Sequence, residues 1–513
     1  MKVLIFHGYL LRGTGSNVYN ASLAAALAGL GHEVHLVCQD REANELAPPG
    51  ATGSVTIHNP DIGGLLPVYV RDTYEGFEVK TFAELTDAEL DAYIASNVAA
   101  VRDLVARLGG VDASLANHLV MGPVILARAG LRYAIKVHGS DLSYTVIPDL
   151  DRFGPYAQEA CDGAAGILVG SGHIAARLRQ AVDDPSTNAK VRLGPPGVDV
   201  DLFAPLPAAS RSDRLRELAA QLRLGGGEGG LVEKHVGETQ KATNPPATSW
   251  DRDVEKAADA VDWFAEGDGP RVIYVGKLIV SKGVDLLLAA WPRIHAANPG
   301  ARLLIVGFGA LEQVLRKVWD GLAAGELDPL RELAAHGRGL EGGDDERLEM
   351  LSAFLADLPP GYEEAAHAAA GSVAFSGRLE HEEVATPVAA SDSLVFPSTF
   401  PEAFGMVAAE AAATGALPVS AHHSGAAEVS RELAADLPAA SAGLVSFELG
   451  ADAVGAIAAR VNGWLALPGP ERETASAALR QTCERLWSWR GVARTVLAAS
   501  AGELDALPVP HED

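Results

Sequence analysis

The pattern that most constrains this chain is a set of short apolar runs, each followed by sequence with helical spacing. In the second half the runs are Val272 to Val275, Arg302 to Val306, Ser372 to Phe375, Ser393 to Phe396 and Leu417 to Val419. All but the last lead into helix-like sequence. The first half opens the same way, with a strand predicted over Val3 to His7. Helical spacing at Val18, Leu23, Leu27 and Leu30 follows, with Gly31 just past the end. Glu33 to Cys38, Tyr133 to Val137 and Gly166 to Val169 read as further strands. Such continuous apolar runs suit strands buried on both faces, as in parallel sheets. Strict β–α alternation predicts an α/β fold with a doubly wound parallel sheet in each half. The halves are not close sequence repeats.

At 513 residues the chain exceeds one ordinary core. The proline-rich segment Leu193 to Pro207 closes the first half. The expected division is 1–205, then 206–480, then a closing helix in 481–513. Two segments interrupt the second half as insertions. Residues 208–269 hold a predicted helix (Asp213 to Leu224), then GGGEGG and a polar run read as a loop. Residues 311–370 are helical and acidic, and are expected to form a lid or a contact between copies of the chain. The tail from Asp452 to Ala499 reads as two or more helices, with Leu479, Cys483, Leu486 and Trp487 on one face.

The net charge is −26. Residues 1–205 carry 15 basic and 23 acidic side chains and the remainder 26 and 44, so neither part is basic. Bulk charge argues against binding to nucleic acid or to an anionic bilayer. No apolar run reaches the roughly 20 residues that span a bilayer. MKVLIFHGYL has one lysine and no cleavage-like site, so it reads as a strand rather than a signal. Cys38, Cys161 and Cys483 are scattered and odd in number, which predicts a reducing, cytoplasmic setting and no metal cluster.

Candidate chemistry concentrates in PSTFPEAFGMVAAEAAATGALPV, from Pro397 to Val419. Glu402 lies just before an Ala-rich helix and Glu410 lies inside it. Amides of Ala403, Phe404 and Gly405 at the helix start can face an anion, while the carboxylates accept hydrogen bonds from hydroxyls. A phosphorylated sugar satisfies both demands. Two surface carboxylates flanking a helix start is the plainer alternative. Lys277 and Lys282 follow the strand Val272 to Val275 at the carboxyl edge of the sheet, where α/β ligands bind. The Gly13-Thr14-Gly15 loop precedes a helix, but Val18 stands where a dinucleotide fingerprint needs Gly or Ala. His138 ends the strand Tyr133 to Val137, as a structural or a functional histidine, and Asp141 either caps the next helix or does not. Adjacent His422 and His423 cannot easily face one metal, and no metal site is expected.

Taken together, GTGSNVYNASLAAALAGLGHEVHLV, HGSDL, PPGVDVDLF, VGKLIVSKGVDLLLAAW, LLIVGFG, FSGRLEHEEV and PSTFPEAFGMVAAEAAATGALPV resemble, in order, a family 4 retaining glycosyltransferase of group 1. The resemblance covers all but the two insertions. It implies a GT-B fold, two Rossmann-like domains facing across a cleft, and a nucleotide-diphosphate sugar as donor with no other cofactor. By resemblance, Glu402 binds hydroxyls of the donor sugar and Glu410 the ribose. Lys277 and Lys282 hold the diphosphate as the glycosidic bond breaks. Gly15 and His138 serve the donor from the first half, and the backbone at Leu379 touches the nucleobase. His138, Lys282 and Glu402 are the catalytic candidates. The acceptor is a sugar or another small hydroxyl compound, attacking from the face the diphosphate leaves, with a phosphate oxygen taking the proton. Lysines and a helix dipole carry the charge, so no divalent metal is demanded. Two departures stand out: Lys277 where the family usually has arginine, and Ser424 where it usually has glycine. Epimerases or phosphorylases of the same fold, and a non-catalytic nucleotide-sugar-binding protein, are the alternatives.

Overall fold

The computed structural model describes residues 1–11, 15–41, 46–69, 76–228 and 252–511. The chain divides into two compact units, Met1–Gly197 with Arg485–Asp513, and Val198–Glu484. The first boundary falls earlier than the expected 205, and the closing segment starts at Arg485 rather than 481. The reason is local. Phe203 is fully buried with its ring 5.2 Å from that of His381. The carbonyls of Val200 and Phe203 accept hydrogen bonds from the Arg480 guanidinium at 3.1 and 3.3 Å. These contacts bind residues 198–204 to the second unit.

The first unit is built on a seven-stranded, all-parallel sheet. Its strands are β1 (Lys2–Phe6), β2 (Glu33–Val37), β3 (Ser54–His58), β6 (Ala113–Asn117), β7 (Tyr133–Lys136), β8 (Ala164–Val169) and β9 (Val191–Leu193), in the order β3-β2-β1-β6-β7-β8-β9. A small separate pair joins β4 (Leu65–Val68) to β5 (Glu78–Thr81). The helix Gly15–Gly29 ends before Gly31, which adopts φ +88°. β6 escaped the sequence reading because ASLAN has no β-branched residue and two polar ones, yet every residue in it is buried. The last helix, Trp489–Ala501, supplies Val492, Ala493, Val496 and Ala499 to the same apolar cluster as Val3, Leu23, Leu36 and Leu115.

The second unit carries β10 (Arg271–Val275), β11 (Arg302–Val306), β12 (Val373–Gly377), β13 (Ser393–Phe396), β14 (Leu417–Ala421) and β15 (Ser446–Phe447). They form one parallel sheet, ordered β12-β11-β10-β13-β14-β15. β14 also leads into a helix, Ser424–Asp436, which its polar, glycine-containing start (SGAAEVS) concealed. Both expected insertions are in part structural. Helix Val254–Ala265 buries Ala257, Val261 and Phe264, and Arg223 of helix Arg211–Glu228 pairs with its Asp259 and Asp262 at 2.7 and 2.6 Å. The polar run expected as a loop lies outside the described residues. In the 311–370 segment, Tyr362 donates to the Ala289 carbonyl at 2.8 Å, and the segment packs on helix Val284–Ala297 instead of standing free as a lid.

In each sheet the strand order reverses once, between β1 and β6 and between β10 and β13. Ligands of doubly wound sheets bind outside the carboxyl ends of the strands at such points. That rule locates a candidate site in each unit without reference to any side chain.

Truncating Val496, fully buried on the first unit's sheet despite its distance in sequence, should cost about 2 kcal/mol. A V496A variant should therefore show a lower urea midpoint, and an unchanged midpoint would remove this helix from the core.

Candidate functional site

The loop after β10 and the loop after β13 leave neighbouring strands at the reversal point. The first, residues 276–283, carries Lys277 and Lys282; the second, 397–405, carries Glu402. They are stitched together by backbone. The Ser281 carbonyl accepts from the Thr399 amide at 2.9 Å and from the Ser398 hydroxyl at 3.2 Å. Gly283 permits this approach: it adopts φ +67°, and a Cβ there would lie 2.0 Å from the Pro397 carbonyl oxygen. Lys282 thereby meets Glu402 in an ion pair, its Nζ on Oε1. The same oxygen accepts from the Ser398 hydroxyl at 2.6 Å, and the Glu402 amide donates to the Ser424 Oγ at 2.8 Å. Ser424 takes φ +49°, so a serine occupies a conformation more natural to glycine, with its hydroxyl used on Glu402. Lys277 is exposed and makes no ion pair among the described residues, while its carbonyl accepts from the Tyr274 hydroxyl at 2.9 Å.

Gly405 caps the helix Met406–Ala413 at φ +110°. Ala403 and Phe404 each have a partner within the structure. Gly425 packs directly on them, since a Cβ at Gly425 would lie 2.6 Å from their backbone atoms. Glu410 is buried inside the helix, where its Oε1 accepts from His381 Nε2 at 2.8 Å. Burial pulls the His381 pKa down, but the Glu410 carboxylate together with Asp199 and Glu382 outweighs it, and the net shift is upward. Leu379 follows β12 with its side chain buried. His423 Nε2 bonds the Ser398 carbonyl at 2.7 Å, and no group of three or more candidate metal ligands occurs among the described residues.

In the first unit, His138 lies two residues beyond β7, half-buried, with Nε2 2.8 Å from Asn117 Oδ1. Asn117 Nδ2 donates to Asn20 Oδ1 at 2.6 Å, which fixes Oδ1 of Asn117 as the acceptor and His138 Nε2 as the donor. Asn20 Nδ2 reaches His7 Nδ1 at 3.0 Å, and His7 Nε2 reaches Asn17 Oδ1 at 2.9 Å. Burial holds the His138 pKa well below its ordinary value and brings that of His7 down to about 4, so both rings are neutral near pH 7. Asp141 does not cap the next helix through its side chain; it is fully buried and accepts from the amides of Leu119 and Gly139. Gly15 opens its helix, exposed, whereas Gly13 and Thr14 lie outside the described residues. His7, Asn20 and Asn117 were missed from sequence. Their signal was position alone, at or just beyond the ends of β1 and β6 and in the helix that follows β1.

The family model "Glycosyltransferase Family 4" matches residues 13–202, and two models of "Glycosyl transferases group 1" match 269–336 and 362–479. The glycogen synthase of Mycobacterium tuberculosis H37Rv is 26% identical over 264 residues, covering 50% of each chain. The aligned part thus spans about half the length of that relative. Among solved structures, a sucrose-phosphate synthase from Thermosynechococcus elongatus superposes with TM-score 0.55 at 18% identity, covering 96% of both chains. Anabaena HepE, solved with UDP and glucose, does so with TM-score 0.54 at 14% identity, covering 98% of this chain and 100% of its own. These likenesses establish the architecture as GT-B, two Rossmann-like domains. The chain belongs to the group 1 glycosyltransferases of family 4.

Asp285, three residues beyond Lys282, is buried, and burial pushes its pKa up to about 7. Its neutral form is the one the fold favours. The stability this contributes is present below the ordinary carboxylate range and is lost as pH rises through 7. The wild-type Tm should therefore fall between pH 5 and pH 8 by more than that of D285N, which carries no charge at either pH. Equal falls would show that Asp285 does not titrate there.

Proposed function

We propose that this chain is a retaining glycosyltransferase that moves a sugar from a nucleoside diphosphate sugar to a hydroxyl acceptor. One observation carries the reading: Lys282 and Glu402 meet at the carboxyl edge of the second sheet, where its strand order reverses. A diphosphate offers the Lys282 ammonium more negative charge than one carboxylate does, and draws it away from Glu402. Glu402 stays positioned by the Ser398 hydroxyl and by its own amide on Ser424, and is then free to accept from sugar hydroxyls. Lys277 adds a second cation, as a single-point contact rather than a bidentate fork. In this reading Glu410, held by His381, serves the ribose, and the amide and carbonyl of Leu379 serve the base.

The C1–O bond to the diphosphate breaks as the acceptor oxygen attacks on the same face. The leaving phosphate oxygen takes the acceptor proton, so the bond order and charge balance without a protein nucleophile. His138, neutral with Nε2–H committed to Asn117, retains Nδ1 to accept from a sugar hydroxyl. Three buried free cysteines fit a reducing, cytoplasmic setting, and among the described residues no helix is long and apolar enough to cross a membrane. UDP-glucose, named with Anabaena HepE, and GDP-mannose, named with a Mycolicibacterium smegmatis relative 31% identical over 101 residues, head the donor panel. Glycogen heads the acceptors.

Thermal shift across UDP-, GDP- and ADP-sugars should single out a donor, and transfer should yield a new glycoside rather than an isomerised sugar. K282A should lower the turnover of that donor about 100-fold, roughly 3 kcal/mol of transition-state stabilisation. E402Q should lose a comparable share, and EDTA should leave the rate unchanged. Folded K282A with wild-type turnover refutes the site, and full loss in EDTA refutes the metal-independent mechanism.

A further inference from the structure

The 311–370 segment has no role in the reading above, yet one side chain from it enters the lysine loop. The loop turns through a single 3-10 helix, Val280–Lys282, whose N-cap position is Ile279. Isoleucine has no side-chain acceptor, so the first amide of the turn needs a partner from elsewhere. That partner is Glu341, whose Oε2 accepts from the Val280 amide at 2.8 Å, 61 residues along the chain.

Glu341 is held firmly for this purpose. It ends the turn Gly337–Glu341, followed by Gly342 at φ +87°. The turn closes on itself through Gly343 N on the Arg338 carbonyl at 2.9 Å and Leu348 N on the Ala334 carbonyl at 2.8 Å. Beside the contact lies a cavity of about 330 Å³, lined by Ser281, Asp285, Arg338, Arg347 and Phe400 among others. Val280 and Ser281 of the loop line this cavity.

We propose that Glu341 is a positioning residue for the donor site: through the Val280 amide it sets the turn from which Lys282 reaches the diphosphate. This rests on the assignment of Lys282 given above. The segment is then a brace that reaches the reaction through one hydrogen bond, and its occurrence between β11 and β12 places that bond on the loop after the adjacent strand β10.

Titration calorimetry with UDP, GDP and ADP on the full chain tests this without an acceptor. For the diphosphate that binds wild type most tightly, E341A should weaken binding about tenfold, the loss expected for a hydrogen bond to a charged acceptor. E341Q keeps an acceptor oxygen and should remain within about twofold of wild type. In a K282A background the further effect of E341A should shrink to less than about twofold, because the residue acts through Lys282. K317A, which removes an exposed ion pair in the same segment, should bind as wild type does. Wild-type affinity in folded E341A, failure of E341Q to rescue, or a full tenfold loss in the K282A background each overturns the proposal. K282A that binds as tightly as wild type, or a wild type that binds none of the three, instead overturns the underlying site. K282A that fails while E341A does not leaves that site standing and removes the brace.

Discussion

Everything proposed for this chain depends on one ion pair, the Lys282 ammonium on the Glu402 carboxylate. A protein with net charge −26 repels an anionic donor at long range. Salt screens such repulsion beyond roughly 8–10 Å at physiological strength, while contacts within a few ångströms survive. A local cation therefore decides binding. Leaving that cation unpaired and partly buried in the empty protein would be costly, and Glu402 meets the need until a diphosphate arrives. In the proposed reading the pair is a resting state, and its partners take separate work once the donor is present.

Backbone geometry makes the pair reproducible. Two loops from adjacent strands are joined at Ser281, Ser398 and Thr399, an approach that only a glycine at 283 permits. On the other flank Gly425 presses against Ala403 and Phe404. Side chains carried on loops tied in this way are held to a narrow range of positions, which charge stabilisation during bond cleavage requires. In the first unit the equivalent order comes from a chain of polar side chains, His7 through Asn20 and Asn117 to His138, attached to a sheet with the same reversal of strand order. Two sequences without close similarity thus build one topology and support their sites by different means.

Much of this was legible in the sequence. Apolar runs located β10, β11, β13 and β14, and the loop carrying Glu402 and the helix carrying Glu410 stand where the sequence put them. The rest was hidden for physical reasons. β6 is buried but built from small and polar residues, so neither alternation nor β-branching announces it. Helix Ser424–Asp436 begins with glycine and serine because Gly425 must fit under Ala403, a tertiary demand that overrides helix propensity. The partners of the glutamates, His381 on Glu410 and Ser424 on Glu402, are joined to them only by folding. The 311–370 segment looked separable because it reads as an acidic helical insertion, yet its apolar residues cover a helix of the sheet layer.

The most direct test is the position of the Lys282 ammonium in a crystal structure of the chain with the nucleotide sugar it turns over. The account predicts Nζ within hydrogen-bonding reach of a diphosphate oxygen and drawn off Glu402, whose carboxylate then faces the sugar. An intact Lys282–Glu402 pair, with the diphosphate seated elsewhere, would contradict it.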